Sequence, residues 1–297
     1  MKAAGWSAWP APAKLNLFLH ILGRRTDGYH LLQTCYQILD WGDRIHLRVR
    51  EDGLLRHQNL PAAINAEEEL CLRAAAALRA ASGCELGVDI AIDKNIPVGA
   101  GLGGGSSDAA TTLVALNLLW GLGLDIRSLS RIALDLGADV PVFVGGRSAW
   151  AEGIGEVLVP MDLAPRWYLL IDAGVKVATG ELFMAPELTR NAAALTISSF
   201  LSGASTVNVF EPVVCGRFPK VAHSLDWLRM HGEARLSGSG GSVFMPLGSR
   251  TEGDSLMARC PPEWRCHVVR GVARSPLLDQ CDAWMQQAVS DGASPSW

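Results

Sequence analysis

The segment Pro97-Val98-Gly99-Ala100-Gly101-Leu102-Gly103-Gly104-Gly105-Ser106-Ser107-Asp108 carries five glycines within seven positions and runs into an apolar stretch, Ala109 to Trp120, that reads as a largely buried helix. Glycines expose successive backbone N–H groups and let an anion approach them closely. Ser106 or Ser107 is placed to cap the helix, with Asp108 in its first turn. The positive end of the helix dipole adds to the attraction, so the segment suits a di- or triphosphate. A flexible turn without a ligand is the plain alternative, and so dense a run of glycines disfavours it. A Walker A loop needs Gly-Lys-Ser/Thr at its end, and no lysine stands there. Gly99, Gly101 and Gly104 do fit Gly-x-Gly-x-x-Gly, which keeps an NAD-linked oxidoreductase in view. Against it, the preceding strand alternates apolar and polar residues from Val88 to Asp93, Pro97 intervenes, and no apolar strand ending in an acidic residue follows.

Upstream of this segment, odd positions Ala13, Leu15, Leu17, Leu19 and Ile21 are apolar while Lys14, Asn16 and His20 fall between them. Period-two alternation predicts a strand over 11–21 with Lys14 and Asn16 on its polar face. Asp27-Gly28 reads as a turn, and Asp40-Trp41-Gly42-Asp43 as the break between two further strands. Glu67 to Ala81 and Ser128 to Leu136 read as helices, the second closed by Gly137. Beyond Pro160 the pattern predicts a strand at 168–171 and helices at 180–184, 192–201, 221–230 and 251–260. It adds a strand at 266–269 and a second glycine-serine loop, Gly238-Ser239-Gly240-Gly241, between short strands. The expected division is 1–160 for an N-terminal domain bearing the glycine loop, 161–284 for a C-terminal domain, and 285–297 for a polar tail.

Composition narrows the function classes. The chain has 297 residues, 49% apolar and 19% charged, as a folded protein should. Lys plus Arg is 26 and Asp plus Glu is 30, a net charge of −4, without the basic surplus expected of a nucleic-acid binder. Seven cysteines form no Cys-x-x-Cys pair, which argues for a reducing, cytoplasmic setting over a zinc or disulfide framework. The first ten residues lack the apolar core of a secretory signal, and the most apolar window, Leu113 to Leu124, is too short to span a bilayer.

The glycine segment resembles the central phosphate loop of the GHMP kinases, the group of galactokinase, homoserine kinase and mevalonate kinase. Pro12-Ala13-Lys14-Leu15-Asn16-Leu17, Asp27-Gly28-Tyr29-His30, Gly42-Asp43, Leu136-Gly137-Ala138-Asp139-Val140-Pro141-Val142-Phe143 and Leu236-Ser237-Gly238-Ser239-Gly240 resemble, in order, motifs of those members that phosphorylate a diphosphocytidyl methylerythritol. The resemblance covers roughly residues 10 to 280. It implies an α/β (α+β) two-domain GHMP-kinase fold, with a ribosomal-S5-like nucleotide domain, a ferredoxin-like C-terminal domain and the active site between them. It also implies ATP and Mg2+ as cofactors, a small-molecule cytidyl diphosphate substrate and no nucleic acid or membrane partner. A monomer and a homodimer are both left open. Another small-alcohol kinase of the same superfamily and a non-catalytic nucleotide sensor are the alternatives.

On spacing alone Asp139 reads as an Asx turn and Lys14 as a solvated edge lysine. The matched motifs make Asp139 the base that accepts the alcohol proton and Lys14 the cation that counters charge building on the moving phosphoryl group. Asn16 would bond the acceptor hydroxyl or Asp139. By the same resemblance Tyr29 stacks on a cytosine, Phe183 closes its other face, His30 bonds the base edge and Thr179 touches substrate. Core packing stays open for Phe183, and a simple turn stays open for the loop at 237–241. Lys94 and Pro97 through Ser107 form the nucleotide side. No residue is assigned to the metal, although Ser107 is a conceivable donor. Three departures stand out: Ala100 where the family often has glycine, Glu68-Glu69-Leu70 where it often has Asp-Asn-Leu, and Asp172-Ala173-Gly174 where it often has Pro-Gly.

Overall fold

The computed structural model describes residues 5–59 and 69–290. In chain order the first half contains β1 (Ser7–Arg24), β2 (His30–Arg50), β3 (Leu55–His57), α1 (Leu70–Ser82), β4 (Gly87–Asp93), α2 (Gly104–Leu119), α3 (Ile126–Leu136), α4 (Val140–Gly145), β5 (Ala149–Glu152) and β6 (Val157–Pro160). The second half contains β7 (Arg166–Asp172), α5 (Thr179–Phe183), α6 (Ile197–Leu201), α7 (Glu211–Arg217), α8 (Pro219–Arg229), β8 (Arg235–Leu236), β9 (Ser242–Leu247), α9 (Arg250–Met257), β10 (Arg265–Val272) and α10 (Pro276–Ser290).

All strands join one sheet whose main path is β3-β4-β2-β10-β7-β9-β8, with β1 and β5 also on β2 and β6 on β5. β2 is its axis, paired antiparallel with β1, β4, β5 and β10 along different parts of its length. The expected break at 40–43 is absent, and β2 runs through it. Gly42 is there for space: a Cβ would lie 2.1 Å from the Ala11 carbonyl oxygen of β1. A strand glycine marks a close backbone approach as readily as a turn.

β1 is longer than the alternation suggested, and its pairing with β2 shifts register between Pro12 and Lys14 and again between Asn16 and Leu19. Such bulges re-aim side chains. α2 starts at Gly104, five residues before the apolar run. Its N-cap is Gly103, and neither Ser106 nor Ser107 caps it. α1 starts at Leu70, with Glu69 accepting from the backbone of Cys71 and Leu72; positions 67 and 68 of the expected helix lie outside the described residues. The helix expected over 192–201 is only α6: Ala192 donates its N–H to the Ile21 carbonyl of β1, and the helix begins at the Thr196 capping box. Residues 285–290 of the expected tail complete α10; 291–297 lie outside the described residues.

Two large apolar cores flank the sheet. One gathers α1, α2, α4 and residues such as Trp9, Ile45 and Ile90; the other gathers α7, α8, β9 and Phe210. Leu19 and Ile21, early in the chain, belong to the second, whereas Leu277 and Cys281, late in the chain, belong to the first. A third cluster, between Leu15, Leu39, Leu170 and Phe244, receives Ile96, Ala100 and Leu102. It anchors the glycine loop from beneath.

Candidate active site

Alternation along β1 and the bulges on either side bring Lys14 and Asn16 to one face, both almost fully buried. A buried ammonium needs partners. Lys14 Nζ donates to Asn16 Oδ1 (2.5 Å) and to the Gly101 carbonyl (3.3 Å), and lies 3.3 Å from Asp139 Oδ2. Asn16 Nδ2 donates to Thr34 Oγ1 at 2.9 Å. Asp139 precedes α4 as its N-cap but makes no side-chain cap. Its carboxylate instead faces the cavity, one-third exposed, and Oδ1 accepts from the Tyr36 hydroxyl at 2.8 Å. The Asx-turn alternative therefore does not hold.

In the glycine loop, Gly99, Gly101 and Gly103 take φ of +74°, +80° and +74°, while among the described residues no non-glycine residue has positive φ. Alternation of left- and right-handed residues is the geometry of an anion-binding nest. Ala100 and Leu102 point into the third cluster and hold the loop down. The second glycine loop locks against it. An added Cβ on Gly240 would lie 1.9 Å from Gly101 N, and one on Gly101 would lie 2.1 Å from the Ser237 carbonyl oxygen. Ser242 N–H donates to the Ala100 carbonyl, and Ser237 Oγ donates to the Gly101 carbonyl. Asn208 Nδ2 ties the second loop from behind through the Leu236 and Gly238 carbonyls.

At the mouth of α2, Lys94 Nζ bridges Asp43 (2.5 Å) and Asp108 (2.8 Å). Asp43 also accepts the N–H groups of Asn95 and Ile96, fixing the approach to the loop. Burial works against the Lys94 charge, yet Asp108 and Asp43 outweigh it and hold Lys94 protonated above its ordinary range. Burial pushes the Asp108 carboxyl up to about 7, with Lys94 pulling it down and Asp43 adding to the rise. Ser107 is fully buried, its Oγ has no partner, and it does not line the cavity. Glu69, at the departure from Asp-Asn-Leu, spends its carboxylate on capping α1.

At the opposite end, Tyr29 is 60% exposed on the rim beside the Asp27-Gly28 turn. His30 is buried and stacks on Phe183, ring centroids 5.0 Å apart and planes at 23°; Phe183 packs edge-on against Phe210. One face of Phe183 is thus taken by the His30 imidazole. Burial, then the charges of Arg190 and Arg24, lower the His30 pKa and favour the neutral ring. Thr179 Oγ1 is 2.7 Å from Ser239 Oγ of the second loop.

One cavity of about 1060 Å³ joins the two ends. Lys14, Asn16, Tyr29, His30, Lys94, Asp139, Thr179, Phe183 and every residue from Pro97 to Ser106 line it. Ser107 is the exception among the expected site residues. The sequence reading did not single out Tyr36, His57, Met184 or Phe210, all of which line the cavity. The dinucleotide alternative fails on the sheet, because β4, which leads into the loop, pairs antiparallel with its long neighbour β2.

Residues 69–147 match the family described as GHMP kinases N terminal domain. The 4-diphosphocytidyl-2-C-methyl-D-erythritol kinase of Xanthomonas euvesicatoria pv. vesicatoria (strain 85-10) is 53% identical over 287 residues, 95% of this chain and 97% of that protein. The protein of the same name from Halorhodospira halophila is 55% identical over 276 residues, 92% and 95% of the two chains. A crystal structure of 4-(cytidine 5'-diphospho)-2C-methyl-D-erythritol kinase superposes with a TM-score of 0.74 at 33% identity, covering 89% of this chain and 99% of that one. Methanococcus jannaschii mevalonate kinase, at 18% identity and a TM-score of 0.66, shares the fold. With its motifs lining one cavity and its sequence matching over nearly its whole length, the chain belongs to the 4-diphosphocytidyl-2-C-methyl-D-erythritol kinases, phosphotransferases of the GHMP-kinase fold.

Proposed function

We propose that this protein moves the γ-phosphoryl group of ATP to the tertiary 2-hydroxyl of 4-diphosphocytidyl-2-C-methyl-D-erythritol, giving the 2-phosphate and ADP, in the non-mevalonate route to isoprenoid precursors. The observation that carries the reading is the Lys14–Asp139 pair, 3.3 Å apart, on the wall of the cavity that also holds the glycine loop. Phosphoryl transfer asks a protein mainly for positioning and charge neutralisation. The loop from Gly99 to Gly105 and the N-terminus of α2 cradle the triphosphate, and Lys94, steadied by Asp43 and Asp108, supplies a fixed cation there. Asp139 takes the proton of the acceptor hydroxyl as its oxygen bonds to phosphorus and the bond to the ADP oxygen breaks. Lys14 counters the charge on the transferring group, and Asn16 orients the hydroxyl.

Tyr29, His30, Phe183 and Thr179 receive the cytidyl end. Phe183 contributes one open face at most, since His30 covers the other, so Tyr29 carries the stacking. Mg2+ is expected to travel with ATP, which supplies phosphate oxygens and waters as its ligands. Among the described residues no three His, Cys, Asp or Glu side chains converge on a metal-sized site, and Ser107 lies off the cavity. Cytoplasmic residence is part of the proposal. It is supported by seven cysteines that are all free, while no described helix is long and apolar enough to cross a membrane.

The test is ADP release with a panel of alcohols, each presented with and without a diphosphocytidyl group. Turnover confined to the cytidyl-bearing methylerythritol supports the reading. Equal or better turnover of homoserine, mevalonate or the bare polyol phosphate overturns it.

A further inference from the structure

Tyr36 is a buried aromatic residue of β2 whose backbone pairs with Asn16 of β1 on one side and Ala149 of β5 on the other. Its ring belongs to the first apolar core, yet its hydroxyl emerges at the cavity and donates to Asp139 Oδ1 at 2.8 Å. Lys14 approaches the other oxygen, Oδ2, at 3.3 Å, and its ammonium also sits 5.3 Å from the Tyr36 ring centroid. The two carboxylate oxygens therefore have separate partners. Room for the hydroxyl is reserved by Gly155, where a Cβ would come within 2.9 Å of it.

We propose that Tyr36 is a positioning residue for phosphoryl transfer: it pins Asp139 Oδ1, fixing the carboxylate plane so that Oδ2, beside Lys14, is the oxygen that receives the acceptor proton. The inference rests on Asp139 being the base. The step balances simply. The acceptor O–H bond breaks toward Asp139 Oδ2, the acceptor oxygen bonds to the γ-phosphorus, and the electron pair of the cleaved bridge leaves with ADP. Tyr36 keeps its own proton throughout. Burial, then the negative charge of Asp139 and the hydrogen bond to it, raise the Tyr36 pKa well above the ordinary phenol value, so it remains a donor. The groups facing this pair are Lys14 from β1, Tyr36 from β2 and Glu156 from the β5–β6 turn; the Glu156 carboxylate also raises Tyr36. The hydrogen bond ties down Oδ1, so loss of the donor lets the carboxylate turn about its Cβ–Cγ bond.

Tyr36→Phe removes only the hydroxyl. The expected result is a kcat lower by roughly tenfold, well short of the full effect of a general base. KM for ATP and for the alcohol stays near wild type. Thermal unfolding of the same variant reports whether the core survives. In an Asp139→Asn background, adding Tyr36→Phe is expected to cause no further loss of residual turnover. An unchanged kcat, a change confined to KM, or an equal loss in both backgrounds overturns the inference. A readout independent of substrate identity is the 13C chemical shift of the Asp139 carboxyl at neutral pH in the full chain, its resonance assigned by its absence from Asp139→Asn. A changed carboxyl chemical shift in Tyr36→Phe supports the role and an unchanged one refutes it, whatever alcohol the enzyme turns over. Failure of the wild-type enzyme on the cytidyl substrate, with the NMR shift intact, counts against the function alone.

Discussion

Asp108 shows how a single side chain can be tuned by its place in the chain. It sits in the first turn of α2, nearly fully buried, with one oxygen on Lys94 and the other without a partner. Burial raises its carboxyl to about 7, against the pull of Lys94 and with the push of Asp43. An unfolded chain would return it to about 4. The folded state therefore holds this proton more tightly. The stabilisation it brings is complete below the unfolded value and is lost as pH rises through the folded one. Asp108→Asn removes the titration, so melting temperature of the variant minus that of the wild type should climb between about pH 4 and about pH 7. A flat difference across that range would contradict the buried, strained carboxylate. Lys14 and Asp139 lie far apart in sequence, and the motifs around each marked them only through resemblance; by spacing alone each has an ordinary surface explanation. Tyr36 was illegible, because its function depends on a contact 103 positions away and its neighbours read as plain strand.

At the level of elements, the strand over 11–21, the helix after the glycine loop and the hairpin around the second loop follow from period and turn chemistry. The continuity of β2 does not, because a glycine required by close packing carries the same letter as a glycine required by a turn. α7 is seven residues long with proline near its start and is set by tertiary burial more than by local propensity; α10 opens on Ser275-Pro276, where the Ser275 hydroxyl accepts the Leu277 N–H and proline takes the first helical position, a start signal the sequence reading passed over. The two glycine loops are the element-scale device of the site. Gly240→Ala would drive a methyl into the backbone of Gly101 and spread the loops, so turnover should collapse and ATP affinity fall. Gly216→Ala in α7 is the control: a methyl there meets nothing within 4 Å and should stabilise by about 0.5–1 kcal/mol with activity intact. Enzyme assays and denaturant melts on the pair check both; a fully active Gly240→Ala would show that the interlock is unimportant.

Across the whole molecule, the two halves of the chain are interleaved. β1 runs along one edge of β2 while β4, β10 and β5 share its other edge, β1 contributes to the second core, and α10 returns to close the first, with Trp284 beside Trp9 at 5.4 Å. The sequence pattern could not reveal this, because punctuation near Pro160 marks where patterns restart and says nothing about which core a helix joins. Leu277→Ala, in the last helix but fully buried in the first core, should cost about 2–5 kcal/mol. It should lower one shared unfolding transition in differential scanning calorimetry; a second transition that splits away unshifted would mean the halves are independent.

The central claim is that Asp139 accepts a proton at the point where the nucleotide cradle meets the alcohol. Single-turnover phosphoryl transfer by Asp139→Asn, measured by rapid quench beside ATP-analogue binding to the same variant, tests it most directly. The account predicts a transfer rate lower by about 10²–10⁴-fold with nucleotide affinity preserved. Transfer at the wild-type rate, or a loss explained entirely by failure to bind ATP, would contradict it.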